Sequence, residues 1–176
     1  MPLKTLDYKI ICELIKNSKI SDRNLAKIVG VSQPTVTRRR TKIEKKEMLD
    51  YTAIPNFSKL GFEILAISFY SWTPEANKKL SENKDKIRNK LHTFLSKHKN
   101  IFFTANERGF GMERMMISVH ESYSDYVKLM QSVSQEWGGY LSQSTSFIVS
   151  LTEDVVGREL SFGHLAEYLV EKLTMT

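Results

Sequence analysis

Apolar residues in the first third of the chain recur at helical spacing. Leu6, Ile10, Ile11, Leu14 and Ile15 predict a first helix over residues 6–16, closed by Asn17-Ser18. Ser21 can cap a second helix over 22–29, with Leu25, Ile28 and Val29 inward. Gly30 then supplies the turn, because a left-handed backbone costs little without a side chain. Ser32 caps a third helix, with Pro34 in its first turn, where a missing N–H does no harm. Val36 and Ile43 share one face of that helix, and Arg38, Thr41, Lys42 and Lys45 the opposite one. Arg39 flanks the inner stripe. Arg40 falls on it, where it either snorkels outward or pairs with Glu44 or Glu47. Residues 48–54 read as extended chain, Pro55-Asn56 breaks it, and residues 57–61 read as a connector.

The remainder has strand signals. Residues 64–72 are β-rich, and Thr73-Pro74-Glu75 opens a long polar helix running to about residue 97 on the stripe Leu80, Ile87, Leu91, Phe94 and Leu95. Residues 101–104 read as a second strand, Gly109 and Gly111 as a turn, and residues 115–120 as a third strand. A helix opened by Ser122 or Ser124 ends at Gly138-Gly139, and residues 145–151 form a fourth strand. The order β-α-β-β-α-β is the ferredoxin-like plan, so the chain is of the α+β class. Two helices on one sheet face leave the other to be covered, and a partner subunit is the obvious cover. Residues 161–173 predict one more helix, with Leu165, Tyr168, Leu169 and Leu173 on one side. Its own domain, the helical module or a neighbouring subunit could each receive it. The expected organisation is a helix-turn-helix domain at 1–54, a linker at 55–62, a βαββαβ domain at 63–151 and a C-terminal helical extension at 152–176.

Charge sharpens this division. Residues 1–60 hold 13 Lys/Arg against 6 Asp/Glu, a net +7, whereas residues 61–176 are at −1. A basic module joined to a near-neutral one fits polyanion binding by the first and another role for the second. No apolar run approaches a membrane span, and the N-terminus lacks the apolar core of a signal peptide, so no membrane partner and a cytoplasmic location are expected. Cys12, the one cysteine, stands in an apolar run and reads as a buried small hydrophobe.

Helix, glycine turn and capped basic helix form the pattern of a helix-turn-helix that enters a groove of double-stranded DNA. Ser32, Gln33 and Thr35 stand near the third helix's N-terminus, which favours phosphate. Arg38, Thr41 and Lys42 project outward, where Arg can read guanine bidentately, as Gln33 can pair with adenine. Thr37 and Arg39 complete the expected contact set. Lys45 and Lys46, with Arg23 and Lys27 of the preceding helix, suit phosphates. The lysine-rich stretch at 78–99 is interleaved with Glu75, Glu82 and Asp85 and reads as a solvated helix face. The four histidines and Cys12 show no metal-ligand spacing, Gly109–Gly111 is a hairpin turn rather than a phosphate loop, and no nucleophile or acid/base pair stands out. Neither a metal, a cofactor nor catalysis is expected.

These residues resemble the Lrp/AsnC family of transcription regulators, of the archaeal type. Leu6-Asp7-Tyr8-Lys9-Ile10-Ile11 is similar to the family's opening L-D-x-x-I-L, and residues 25–32 to its second helix and turn. Val36, Arg39, Ile43 and Glu44 fit its recognition helix, and residues 51–54 and 59–62 its post-helix strand and connector. The resemblance covers residues 6–62 closely and residues 63–151 by element order; the segment after Thr152 is longer than the family's. It implies a winged helix-turn-helix regulator acting as a homodimer or higher homo-oligomer. Two departures stand out. Arg40 replaces an aliphatic residue. Where many members carry T-G-x-x-D at an amino-acid effector site, this chain has Phe110-Gly111-Met112-Glu113-Arg114. The amino-acid effector is therefore not carried over. Gly109, Gly111 and Arg114 remain the candidate effector residues, for an anionic ligand, another small molecule or none. The resemblance also admits a sirohaem decarboxylase, against which the basic capped helix argues, or a sensor or assembly protein that no longer binds DNA.

Overall fold

A computed structural model of the chain describes residues 4–109, 111–152 and 160–174. It divides into two compact units, residues 1–54 with 158–176 and residues 55–157.

The first unit begins with α1 (Thr5–Lys16), α2 (Asp22–Val29) and α3 (Gln33–Glu44). Their apolar faces meet in one core, in which Ile10, Leu14, Leu25, Ala26, Val36 and Ile43 are buried. Each of the Ile, Leu and Val side chains among them stabilises the fold by roughly 1.5–3 kcal/mol. Ser21 caps α2 by accepting the Asn24 N–H at 3.3 Å. Gly30 takes the left-handed conformation, φ 73°, that the turn requires. One inward assignment fails: Ile28 is exposed. Leu25, Ala26 and Val29 set the packed arc of α2, and Ile28 lies outside it. Residues 49–57 carry no regular secondary structure.

In the second unit the elements are β1 (Ile64–Trp72), α4 (Pro74–Glu82), α5 (Lys84–Lys97), β2 (Ile101–Gly109), β3 (Met112–His120), α6 (Tyr123–Trp137) and β4 (Leu141–Ser150). Short 3₁₀ turns precede β1 at Ser58–Leu60 and β4 at Gly138–Tyr140. The sheet order is β2-β3-β1-β4, with every neighbouring pair antiparallel. Thr73 and Ser122 cap the helices after β1 and β3 by accepting N–H bonds from Ala76 and Asp125. The single long helix expected after Thr73 is in fact two, broken at Asn83 (φ −130°, ψ 46°). Asparagine's side chain competes with helical backbone bonds, which makes it a tolerable break point. All three later strands begin before their predicted starts or extend past their predicted ends, because ladder pairing rather than local β-propensity sets strand length.

Tyr70 and Met116 of the sheet pack with Phe94 of α5 and with Leu129, Val133 and Trp137 of α6. Alternation along the strands sends Ile67 and Ile117 to the opposite face. Cross-strand register extends that pair into a row, Phe103–Ile117–Ile67–Phe147, across all four strands. Phe147 is 67% exposed. No described helix of this unit covers that row.

The last helix, α7 (Gly163–Thr174), joins the first unit, where it packs on α1. Its buried side centres on Ala166, whereas Leu165 and Tyr168, expected on the packed stripe, are exposed. A small residue lets two helix backbones approach closely, and that approach decides which face turns inward. Cys12 stands two positions from both Ile10 and Leu14, on the other side of α1, yet is only 1% exposed. Burial raises its thiol pKa, against the nearby charge of Lys16.

Candidate nucleic-acid interface

The basic helix is held by carboxylates on other helices. Asp22, first residue of α2, accepts a hydrogen bond from the Thr37 hydroxyl at 2.6 Å on one oxygen and from Arg40 Nη1 at 3.1 Å on the other. One side chain thus clasps α3 twice and fixes its crossing with α2. Arg40 also donates from Nη1 to the Ile20 carbonyl at 3.2 Å and from Nε to Glu44 at 3.0 Å. The Tyr51 hydroxyl donates to the same Glu44 oxygen at 2.8 Å, and the Arg40 guanidinium lies over the Tyr51 ring at 5.3 Å. Burial works against the Arg40 charge, but its bonds to Glu44 and Asp22 outweigh it and raise the pKa. Burial likewise raises the Tyr51 phenol, aided by Glu44.

Arg40 therefore takes the pairing alternative, with Glu44 as one partner and Asp22 as a second that local spacing did not suggest. Arg39 departs further from expectation. Its Nη1 reaches both oxygens of Asp7, at 3.1 and 3.2 Å, and Asp7 is 5% exposed. The same carboxylate accepts the Lys4 N–H at the start of α1. A guanidinium committed to a buried carboxylate joins helices, so Arg39 leaves the outward contact set. Thr37 is exposed, but its hydroxyl proton is engaged by Asp22 and by the Gln33 carbonyl.

Ser32 occupies the N-cap position of α3, but its hydroxyl makes no capping bond. It shares a hydrogen bond with the Thr35 hydroxyl at 2.9 Å. Ser32 and Gln33 are exposed and Thr35 is half-buried. Arg38, Thr41 and Lys42 are exposed on the side away from Val36 and Ile43. The Thr41 hydroxyl donates back to the Thr37 carbonyl at 2.9 Å and presents its lone pairs outward. Lys45 and Lys46 lie beyond the helix proper: α3 ends at Glu44, and Lys45 is its C-cap. Cations there suit the negative end of the helix dipole. Glu47 follows with φ 53°, a strained conformation for a residue with a side chain. Among the described residues the side chains of Arg38, Lys45 and Lys46 have no hydrogen-bond or ionic partner. Arg23 and Lys27 are exposed on α2.

The candidate effector residues do not converge. Gly109 ends β2, paired with Met112, and Gly111 lies in the turn before β3 at φ 75°; open space surrounds both. Arg114 instead points into the sheet–helix layer, where it borders a small cavity with Trp72, Trp137 and Phe94. Asp7 and Asp22, the residues that organise the basic helix, went unrecognised as such from sequence. A carboxylate facing a cation many residues away leaves no periodic trace. The family-like opening motif that contains Asp7 was the one usable sign.

Residues 3–49 match the family described as winged helix-turn-helix DNA-binding. An uncharacterized HTH-type transcriptional regulator of Pyrococcus furiosus is 37% identical over 68 residues, 38% of this chain and 46% of that protein. The leucine-responsive regulatory protein of Rhizobium meliloti is 37% identical over 65 residues, 36% of this chain and 42% of that one. The chain thus matches less than half the length of each of these two relatives. The solved structure of LrpC from Bacillus subtilis shares the fold at a TM-score of 0.69, with 23% identity over 90% of this chain and 100% of that one.

Proposed function

We propose that the chain is a transcription regulator of the Lrp/AsnC type that binds specific sites on double-stranded DNA as a homodimer or higher homo-oligomer. The observation that carries this reading is the division of labour within one arginine triplet. Arg39 and Arg40 are bound to carboxylates inside the helical module, whereas Arg38 is exposed and unpaired among the described residues. A helix anchored on one side with an unengaged guanidinium on the other is what major-groove reading requires. In this reading Arg38, Thr41 and Lys42 meet base edges, and Gln33 and Thr35 sit at the helix N-terminus against the duplex. Lys45, Lys46, Arg23 and Lys27 meet phosphates.

The open sheet face supports assembly. A second copy laid on the Phe103–Ile117–Ile67–Phe147 row would remove a continuous apolar patch from water. Two such modules about a two-fold axis would read half-sites one helical turn, or a multiple of it, apart. The second unit would then be placed to couple a small ligand to that spacing. Selection of genomic fragments by the purified protein, followed by footprinting, tests the whole reading. Recovery of a shared, pseudo-palindromic site is expected, and recovery of fragments with no common sequence would count against it.

A further inference from the structure

The near-neutral charge of the second unit conceals an uneven distribution. Residues 74–99, from the start of α4 to just past α5, hold eight Lys/Arg against three Asp/Glu, a net +5. The rest of residues 55–157 holds four against eight, a net −4. The structure divides the α5 cations much as it divides the arginine triplet of α3. Ile87, Leu91, Phe94 and Leu95 pack α5 into the core of the unit. On the flank toward α6, Lys90 donates to the Glu136 carbonyl and lies over the Trp137 ring at 4.5 Å, and Lys97 pairs with the Glu136 carboxylate at 3.4 Å. Lys84 and Arg88, one turn apart on the other flank, are exposed, as are Lys79 on α4 and Lys99 just past the end of α5. None of these four has a hydrogen-bond or ionic partner among the described residues. The interleaved carboxylates do not answer them. Glu75, Glu82 and Asp85 are exposed and form no ion pair among the described residues, although Asp85 stands three positions from Arg88.

We propose that the exposed cations of α4 and α5 form a second DNA-contacting surface, which holds phosphates of the duplex flanking the sequence read by α3. Charge and surface character choose this partner. Unengaged cations attract a polyanion, and the acidic remainder of the unit directs it to this face. Lys84 and Arg88 stand about 6 Å apart along the helix axis, so they can meet successive phosphates rather than one small anion. Single-stranded nucleic acid would call for exposed aromatic rings on which bases stack, but Phe94, the one aromatic residue of these helices, is buried. An anionic membrane would call for an apolar face to insert, and no large hydrophobic residue of α4 or α5 is exposed among the described residues. The inference rests on the reading of α3 as the recognition helix. It adds a sequence-independent grip outside the recognised bases.

The full-length protein would be titrated, over a range of salt concentrations, onto two duplexes. One carries only the shared sequence recovered by genomic selection, and the other extends it by about two helical turns of unrelated sequence on each side. Wild type should bind the extended duplex more tightly and with a steeper salt dependence. Lys84→Gln/Arg88→Gln should leave the short duplex unaffected and lower the salt slope on the extended one by about two per engaged protomer. Lys97→Gln/Lys128→Gln removes the same charge from cations already paired with Glu136 and Asp125, and should change neither slope. Unchanged circular dichroism in both variants would separate lost contacts from lost folding. No gain from extension in wild type, an undiminished slope in Lys84→Gln/Arg88→Gln, or an equal loss in the control variant would overturn the proposal. Specific binding to the short duplex with no contribution from its flanks would overturn this surface alone and leave α3 as the reader. Failure to bind the short duplex specifically would overturn the reading of α3 and this inference with it.

Discussion

Arg39 Nη1 lies 3.1 Å from one carboxylate oxygen of Asp7 and 3.2 Å from the other, joining the third helix to the start of the first. Both side chains are largely withdrawn from water, at 19% and 7% exposure. Removing one partner of such a pair strands the other. Arg39→Ala and Asp7→Ala should therefore each lower stability by about 3 kcal/mol, and the double variant by little more than either. Denaturant unfolding of the four proteins measures the coupling. Simple additivity would show that the pair contributes nothing.

Arg40 differs because its cation serves two carboxylates, a backbone carbonyl and the Tyr51 ring. Arg40→Leu, which restores an aliphatic residue at this position, should cost about 1–2 kcal/mol, since Asp22 and Glu44 stay partly hydrated. The Asp22 clasp on Thr37 would persist, so the α2–α3 crossing should hold and DNA affinity should change less than twofold. A large loss of affinity with little loss of stability would instead assign Arg40 to the DNA.

His120 gives the second unit a pH dependence. The ring is 2% exposed and bonded to Ser118 and Asn100. Burial holds its pKa below the ordinary 6.5, against the opposing charge of Asp125. Above 6.5 both folded and unfolded forms are neutral and the fold is at full strength. As pH falls below 6.5 the unfolded chain takes a proton that the folded ring resists, and stability falls. The thermal midpoint should drop between pH 7.5 and 5, and His120→Gln should flatten that slope. An unchanged slope would show that His120 is not its source.

Much of this architecture is readable along the chain, and the failures share a cause. Alternation and helical spacing located α1, α2, α3, α6 and β1 because each carries a periodic apolar face that the fold buries. Lengths dictated by partners escaped, as did the Asn83 break, where no glycine or proline marks the chain. The arginine triplet shows the limit most clearly. Arg38, Arg39 and Arg40 are identical in composition, and helical spacing separates Arg38 from the inner face. Only the positions of Asp7 and Asp22 reveal that the other two are structural.

The seam between α1 and α7 offers a chemical reporter. Cys12 and Ala166 are both buried though neither belongs to the main core of the helical module. If α7 is what covers Cys12, Ala166→Glu should dislodge that helix and expose the thiol. Its reaction with a thiol reagent should accelerate at least tenfold while the helix-turn-helix remains folded by circular dichroism. A thiol that stays inert would place its cover elsewhere.

The central claim is that α3 reads DNA with Arg38 and not with the arginines beside it. Binding isotherms for wild type, Arg38→Ala and Lys46→Ala, on a selected site and a scrambled duplex at two salt concentrations, test it most directly. Arg38→Ala should lose roughly 1–3 kcal/mol on the selected site and much less on the scrambled one, whereas Lys46→Ala should weaken both alike and reduce the salt slope by about one. Equal losses on both duplexes for Arg38→Ala, or none, would contradict the assignment.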